Sequence, residues 1–257
     1  FLLQAMTGMK RIEILRPWAI FVWLFVWQAG VLVLDQQILL VSPVRVLLRL
    51  VELAVELDFW KAVAFSTLRI TAGFLLGTMA GTMLAGVSAR QRILEELLAP
   101  FMLAVKSIPV ASFIILALIL FSSRNLSVLI SFLMVLPVLY SGILGGLRAM
   151  DKQMLEMVQL FRIPTFRRIR YVYLPQILPY FQTACSSALG LCWKSGIAAE
   201  VIGMPTGSIG EQLQLAKVYL DTPDLFAWTL VIVLISLFFE RSFLMLLKRA
   251  ARYLERM

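Results

Sequence analysis

Long apolar runs alternate with short polar segments along most of this chain. A helix that crosses a lipid bilayer needs about 20 predominantly apolar residues. Six runs approach or exceed that length: 18–34, 59–87, 97–121, 126–147, 177–202 and 225–247. The pattern therefore predicts an all-α polytopic membrane protein with six transmembrane helices.

The segment 146–179 is a long polar and basic interruption of this pattern. Asp151 is placed to cap a short helix, which Pro164 ends. A second piece, 165–173, ends at Leu174-Pro175, which we expect to turn the chain back into the membrane. A plain basic loop would explain the arginines but not two amphipathic helices. Apolar residues of the first helix share one face: Met154, Val158 and Phe161.

A further amphipathic helix is predicted between the first two runs. Ser42-Pro43 is typical of a helix start, with a capping hydroxyl followed by proline in the first turn. Charged and apolar residues then separate onto opposite faces across 44–56. We expect this helix to lie on the outer membrane surface; the alternative is a helix packed outside the lipid.

Small residues recur every fourth position in the second run, at Gly73, Gly77, Gly81 and Ala85. Such a stripe allows two helix backbones to approach closely in lipid. We interpret it as a helix-packing surface, within one chain or across a dimer, and not as a site of chemistry.

Polar residues and helix breakers inside the runs are candidates for a transport pathway. The third run contains Lys106-Ser107-Ile108-Pro109, which neighbouring helices could accommodate or which could line a pathway. In the fifth run Lys194 lies about 12 Å from the outer end. A lysine at that depth should face protein or water, unless it extends to the surface. The pathway candidates are Lys106, Ser107, Tyr140, Ser187, Trp193, Lys194 and Glu200.

Composition and charge agree with a membrane protein. Hydrophobic residues make up 61% of the chain, against about 45–50% in soluble proteins. The net charge is +9, and the charged residues lie mostly between the apolar runs. This placement fits the positive-inside bias of membrane proteins rather than nucleic-acid binding. With the N-terminus in the cytoplasm, fifteen Lys and Arg residues fall on the inner side and five on the outer side. We therefore expect both termini and the segment 146–179 in the cytoplasm.

The sequence shows no recognisable catalytic site. It has no histidine, no phosphate-binding GxxxxGK[ST] motif and no cluster spaced for metal binding. We therefore expect no catalytic residue, metal or cofactor in this chain; if ATP is used, another chain must bind it.

The polar segment resembles a motif of bacterial ABC importer permeases, the inner-membrane subunits of binding-protein-dependent transport systems. Their cytoplasmic loop carries Glu-Ala-Ala, then three residues, Gly, about nine residues and Ile/Val-x-Leu-Pro. This chain has Glu156-Met157-Val158 and Val172-Tyr173-Leu174-Pro175, with Arg162 where glycine is usual. The glutamate and Leu-Pro match, whereas both alanines and the glycine depart.

The resemblance covers about residues 40–250, over which the chain is similar to the nitrate, sulfonate, taurine and thiamine-precursor subfamily of these permeases. It rests on Ser42-Pro43, Leu68-Arg69 before 73–77, Ser107-Ile108-Pro109, Ala199-Glu200 and Phe226. It implies a type I importer permease fold with three parts: 1–58 with the outer helix, a core of 59–247 with a coupling region at 148–175, and a basic tail at 248–257.

The resemblance also implies a mechanism and partners. The segment would dock, as a coupling helix, on a cytoplasmic ATPase dimer that holds ATP and Mg²⁺. A second permease copy would complete the pathway, and an extracellular or periplasmic solute-binding protein would deliver the solute. The implied coupling residues are Asp151, Met154, Leu155, Glu156, Val158, Phe161, Arg162 and Pro164.

Two other functions remain open on the sequence alone. A self-sufficient, ion-coupled secondary transporter could use an intramembrane Lys194, although the halves show no inverted repeat. A membrane scaffold could use the polar segment as a docking site. For an importer, Lys194 facing the pathway would suit a small organic or inorganic anion; the subfamily adds vitamin precursors.

Overall fold

A computed structural model describes residues 17–34 and 41–255. These residues form α-helices joined by short loops, with a 3₁₀ turn at Ser123–Asn125 and a π-helical turn at Ile169–Tyr173. The helices are α1 Pro17–Leu34, α2 Pro43–Val55, α3 Leu57–Ser88, α4 Arg92–Ser107, α5 Val110–Leu120, α6 Leu126–Arg148, α7 Lys152–Leu160, α8 Thr165–Arg168, α9 Leu174–Gly203, α10 Ile209–Val218 and α11 Thr222–Glu255.

Helices α3, α6 and α9 form the centre of the bundle, where α6 packs extensively against both of the other two. The α3–α6 contact runs along Gly73, Gly77 and Gly81. A Cβ atom at Gly73 would lie 2.6 Å from the Val128 carbonyl oxygen, which is far inside van der Waals contact. Only glycine permits this separation of the two backbones.

The amphipathic helix α2 begins where the sequence predicts. The Ser42 hydroxyl accepts a hydrogen bond from the Arg45 N–H at 3.4 Å, and proline follows in the first turn. Arg49 forms an ion pair with Asp224 at the start of α11. The hydrogen-bonded Asp224 carboxylate raises the pKa of Arg49 above its already high value, and the pair joins α2 to α11.

By length and composition, three helical stretches of the described chain can each cross a membrane: Leu57–Ser88, Ser123–Arg148 and Thr222–Arg252. A fourth exists only if α4 and α5 are counted together, because they meet at an angle of 106°. The predicted third run is therefore not one straight helix. Ile108 and Pro109 are extended between the two helices, since proline disfavours helical backbone at the residue before it.

The expected turn at Leu174-Pro175 is also wrong. The chain continues through it without a break in the helix, from α8 through the π turn into α9. The Leu174 N–H donates to the Ile169 carbonyl. Pro175 lacks the N–H that a continuous helix would use, and it follows directly on this π turn, where the regular hydrogen-bond pattern is already shifted.

Candidate coupling segment and polar transport face

Helix α7 is capped and anchored at its start. The Asp151 carboxylate accepts a hydrogen bond from the Gln153 N–H at 2.9 Å, as a helix cap does. From the first turn of α9, the Gln176 side-chain oxygen accepts from the Asp151 N–H at 3.1 Å. The Gln176 amide nitrogen contacts the Met154 sulfur at 3.1 Å. The start of α7 is therefore hydrogen-bonded to the first turn of α9.

One face of α7 packs back onto the π turn that leads into α9. Val158 is 2% exposed and forms a small apolar cluster with Met150 and Val172, on which Leu155 and Ile163 pack. Val158 and Leu155 are among the residues predicted for coupling to the ATPase. Val158 instead faces inward, because an amphipathic helix on a surface buries one apolar stripe against its own chain.

The other face of α7 is both apolar and exposed. Leu160 is 79% and Phe161 71% exposed. Met154 and Met157 extend the same apolar surface, and Glu156 is exposed as well. Phe166, across the proline break, is also exposed. An apolar surface on a polar connecting segment is typical of a protein-docking site.

Arg162 adopts a left-handed backbone conformation, with φ of 47°. It follows α7 at the position where glycine commonly ends a helix. The Ile163 N–H donates to the Val158 carbonyl at 3.2 Å, and the Ile163 side chain packs on the Val158 cluster. Both features belong to the Schellman motif. The chain thus makes a left-handed turn at the position where the resembled motif has glycine, and Pro164 then caps the start of α8.

A polar face runs along α9. Thr183, Ser187, Gly190 and Lys194 follow one another at spacings of four, three and four, and all are exposed. Such spacing places them on one side of a helix. The α9 stripe therefore presents hydroxyls and an ammonium group along a helix of a membrane bundle.

Residues of α4 and α6 widen this face. The Lys106 ammonium group, at the end of α4, donates a hydrogen bond to the Ser141 hydroxyl at 3.0 Å. Ser107 beside it is exposed. An open cavity of ≈ 490 Å³ lies between α6 and α9, and Ser141, Thr183 and Ser187 contribute its polar lining. We call these surface residues the polar face: Lys106, Ser107, Ser141, Thr183, Ser187, Gly190 and Lys194.

Tyr140, Trp193 and Glu200 do not share this face. All three are buried in the bundle. Trp193 packs against Phe239 of α11, with ring centroids 5.9 Å apart. Four of the seven pathway candidates are thus exposed, and these three are enclosed by their own chain.

The comparison with known families decides the class of protein. A model of the family described as "Binding-protein-dependent transport system inner membrane component" matches residues 73–252. That match covers most of the chain. The chain belongs to this family.

Named relatives are similar over most of their length. A Bacillus subtilis (strain 168) protein, named as a candidate aliphatic sulfonates transport permease, SsuC, is 26% identical over 227 residues, which is 87% of this chain and 81% of the relative. The riboflavin transport system permease protein RibX of Chloroflexus aurantiacus is 26% identical over 86% of this chain and 83% of its own. The taurine transport system permease protein TauC of Escherichia coli (strain K12) is 24% identical over 83% and 80%.

These findings favour an ABC transport permease over a self-sufficient secondary transporter. The family consists of multi-pass inner-membrane components that work with an ATPase and a solute-binding protein. The family role is that of a membrane component, not of an enzyme.

Within the permease, Glu200 has a structural position that the sequence did not reveal. Its carboxylate accepts a hydrogen bond from the Ser66 hydroxyl at 2.5 Å and one from the Gly210 N–H at 3.4 Å. The Ile209 N–H donates to Ser66 at 3.0 Å. A carboxylate at the start of α10 also suits the helix dipole. Glu200 thus connects the start of α10 to α3 and α9.

The sequence analysis missed several polar side chains that form long-range contacts in the structure: Ser66, Ser141, Gln176 and Glu240. Each lies in a long helix and has a partner that is distant in sequence. Ser66 and Glu200, for example, are 134 positions apart. No local pattern could have paired them, although the depth of Glu240 in the last run is a signal by itself.

Proposed function

We propose that this permease forms, with a second identical copy, the solute pathway of an ATP-driven importer, and that its segment 151–164 is the coupling helix. The observation that carries the proposal is the apolar, exposed surface of α7, presented on a helix whose opposite face is fastened to α9. ATP and Mg²⁺ would bind to the partner ATPase.

The attachment of α7 gives the ATPase a mechanical connection to the pathway. Gln176 and the Val158 cluster hold α7 to the π turn and the first turn of α9. Helix α9 also carries Ser187 and Lys194. A displacement of α7 by ATPase closure would therefore be passed to the part of the polar face that α9 carries, as packed elements transmit a two-state change.

The exposure of the polar face is an argument for a second copy of the permease. A lysine in contact with lipid near the bilayer centre costs about 2.5–3.5 kcal/mol even on the most permissive scales. Lys194, Ser187 and Thr183 are exposed on α9, which we propose crosses the membrane. A symmetric second permease, in the commonest oligomer symmetry, would cover this face and enclose water between the two copies.

The proposed topology has six crossings, with both termini in the cytoplasm. It counts α4 and α5 as one broken crossing and includes α1 and α9. Helix α9 has 30 residues, ample for about 30 Å of hydrocarbon, and its polar residues would face protein or water. Helices α2 and α10 then lie on the outer side, where a solute-binding protein would deliver the solute.

The names of the relatives include aliphatic sulfonates, riboflavin and taurine. They support the expectation of a small anion or a vitamin precursor as the solute, and the binding protein would make the choice among related compounds.

The coupling role is tested by co-purification of the permease with its ATPase. We expect the double variant Leu160→Glu, Phe161→Glu to lose the ATPase, because two buried carboxylates would replace the apolar contact. Tyr219→Glu is the control, since Tyr219 is 77% exposed on a loop of the proposed outer side. Normal membrane insertion with retained ATPase in the double variant would defeat the proposal.

A further inference from the structure

Two adjoining cavities open beside the last turns of α3 and α6, away from the polar face. One, of ≈ 540 Å³, is lined mainly by charged residues of the α3–α4 turn, of α4 and of the end of α6. The other, of ≈ 410 Å³, is lined mainly by apolar side chains and reaches α7 at Leu155. Ala89, Arg90 and Leu147 line both. The two cavities therefore form one amphipathic site, which we call the inner cavity pair.

The charged cavity has one positive charge in excess. Arg92 forms an ion pair with Glu96 at 3.0 Å. Arg148 forms another with Glu95. Both pairs line the cavity together with Arg90, which is exposed and has no ion-pair partner among the described residues. Three guanidinium groups against two carboxylates leave one positive charge, which a single phosphodiester would balance.

A buried hydroxyl lies at the wall of the same cavity. Ser88 is the last residue of α3, is 2% exposed and belongs to the cavity lining. Its hydroxyl oxygen has no hydrogen-bond partner within residues 17–34 and 41–255. Buried hydroxyls are normally bonded to protein, water or a ligand. A phosphate oxygen in the charged cavity would supply an acceptor beside the unmatched charge of Arg90.

The apolar cavity offers room for a hydrocarbon chain. Its lining includes Gly86, two residues before the end of α3, and Ile177 in the first turn of α9. A Cβ atom added at Gly86 would meet no atom within 4 Å, so the backbone of α3 is open to the cavity here. A chain that enters beside Gly86 would also contact Leu155 of α7.

We propose that the inner cavity pair binds an anionic phospholipid of the inner leaflet, with its phosphate at Arg90 and Ser88 and one acyl chain between Gly86 and Leu155. This inference rests on the proposed function, because it needs the topology that places these ends of α3 and α6 at the cytoplasmic membrane surface. Basic pockets between helices on that side bind anionic headgroups. A zwitterionic headgroup would add a cation to a cavity that already has one positive charge in excess.

Native mass spectrometry of the purified permease, without its ATPase, measures this binding directly. The parent chain is titrated with phosphatidylglycerol or with phosphatidylethanolamine of the same acyl chains, and we expect the first phosphatidylglycerol to bind more tightly. Arg90→Gln should weaken its binding about fivefold, as expected for one basic residue at an anionic headgroup. Gly86→Leu should weaken it by filling the apolar cavity.

Two matched variants serve as controls. Arg124→Gln removes an exposed arginine from the proposed outer side. Gly145→Leu enlarges a second glycine that has no atom within 4 Å of an added Cβ and that lies outside the lining of both cavities. Both variants should bind the first phosphatidylglycerol as the parent chain does.

Three results would overturn the proposal. The first is equal affinity for phosphatidylglycerol in Arg90→Gln and Arg124→Gln. The second is displacement of the bound lipid by excess inorganic phosphate, because the site would then take free phosphate. The third is an Arg90→Gln variant that keeps the lipid but no longer co-purifies with the ATPase, which would make the cavity pair a protein contact. The coupling test with Leu160→Glu, Phe161→Glu is independent of all three, so either proposal can fail alone.

Discussion

The close contact between α3 and α6 makes a quantitative prediction at Gly73. In the variant Gly73→Ala, the new Cβ would lie 2.6 Å from both the Ser131 Cβ and the Val128 carbonyl oxygen. Carbon atoms pack best at about 3.5–4.0 Å. The two helices must therefore separate by about 1 Å at this level, and the rigid backbone of α6 leaves no side chain that could move aside instead.

The expected loss of stability follows from two opposing effects. Overpacking in a well-packed core costs about 1–3 kcal/mol. Alanine gains up to about 1 kcal/mol over glycine inside a helix. We therefore expect Gly73→Ala to unfold about 1–2 kcal/mol more easily than the parent chain. Gly86, in the same helix, has no neighbouring atom within 4 Å of the position that an added Cβ would take, so Gly86→Ala should be neutral or up to about 1 kcal/mol more stable.

Unfolding by SDS in mixed micelles, followed by tryptophan fluorescence, measures both variants against the parent. The difference between Gly73→Ala and Gly86→Ala is the informative quantity, because helix propensity contributes equally to each. Equal midpoints for the two variants would refute the argument that the glycine stripe sets the α3–α6 separation.

Two further predictions concern Arg162 and Glu200. Arg162→Gly should raise the free energy of unfolding by about 0.5–1 kcal/mol, since glycine adopts positive φ without strain. The control Arg167→Gly, in helical α8, should lower the free energy of unfolding by a similar amount. The same SDS titration measures both variants, and a destabilised Arg162→Gly would contradict the argument that the backbone of Arg162 is strained. Glu200→Ala should cost about 2–3 kcal/mol, because Ser66 and Gly210 lose a buried acceptor, whereas Glu200→Gln keeps an acceptor and should cost less. Hydrogen exchange of α10 checks this, and equal exchange in both variants would count against the fastening role.

Much of the helical architecture could be predicted from local patterns. The glycine stripe has the period of an α-helix, and the Ser42-Pro43 cap is a short-range signal. The break at Pro109 was equally visible. Its 106° bend was not, because the angle depends on how α4 and α5 pack on α6 and α9, and no residue near the proline encodes those contacts.

The candidate sites show the same division between local and distant information. Helical spacing grouped Met154, Val158 and Phe161, but it could not distinguish the stripe that packs on the chain from the surface left for a partner. Likewise Lys194 and Glu200 are both charged residues in one apolar run. Only the folded chain separates them, since Glu200 is buried and bonded to Ser66 and Gly210 whereas Lys194 is exposed.

ATP dependence of solute uptake tests the central claim most directly. Proteoliposomes that contain the permease with its ATPase, supplied with the loaded binding protein, should accumulate solute only with ATP on the cytoplasmic side. Uptake should stop when the ATPase is omitted or when Leu160→Glu, Phe161→Glu replaces the parent chain. Uptake by the purified chain alone, without ATP, would contradict the account and restore the secondary transporter.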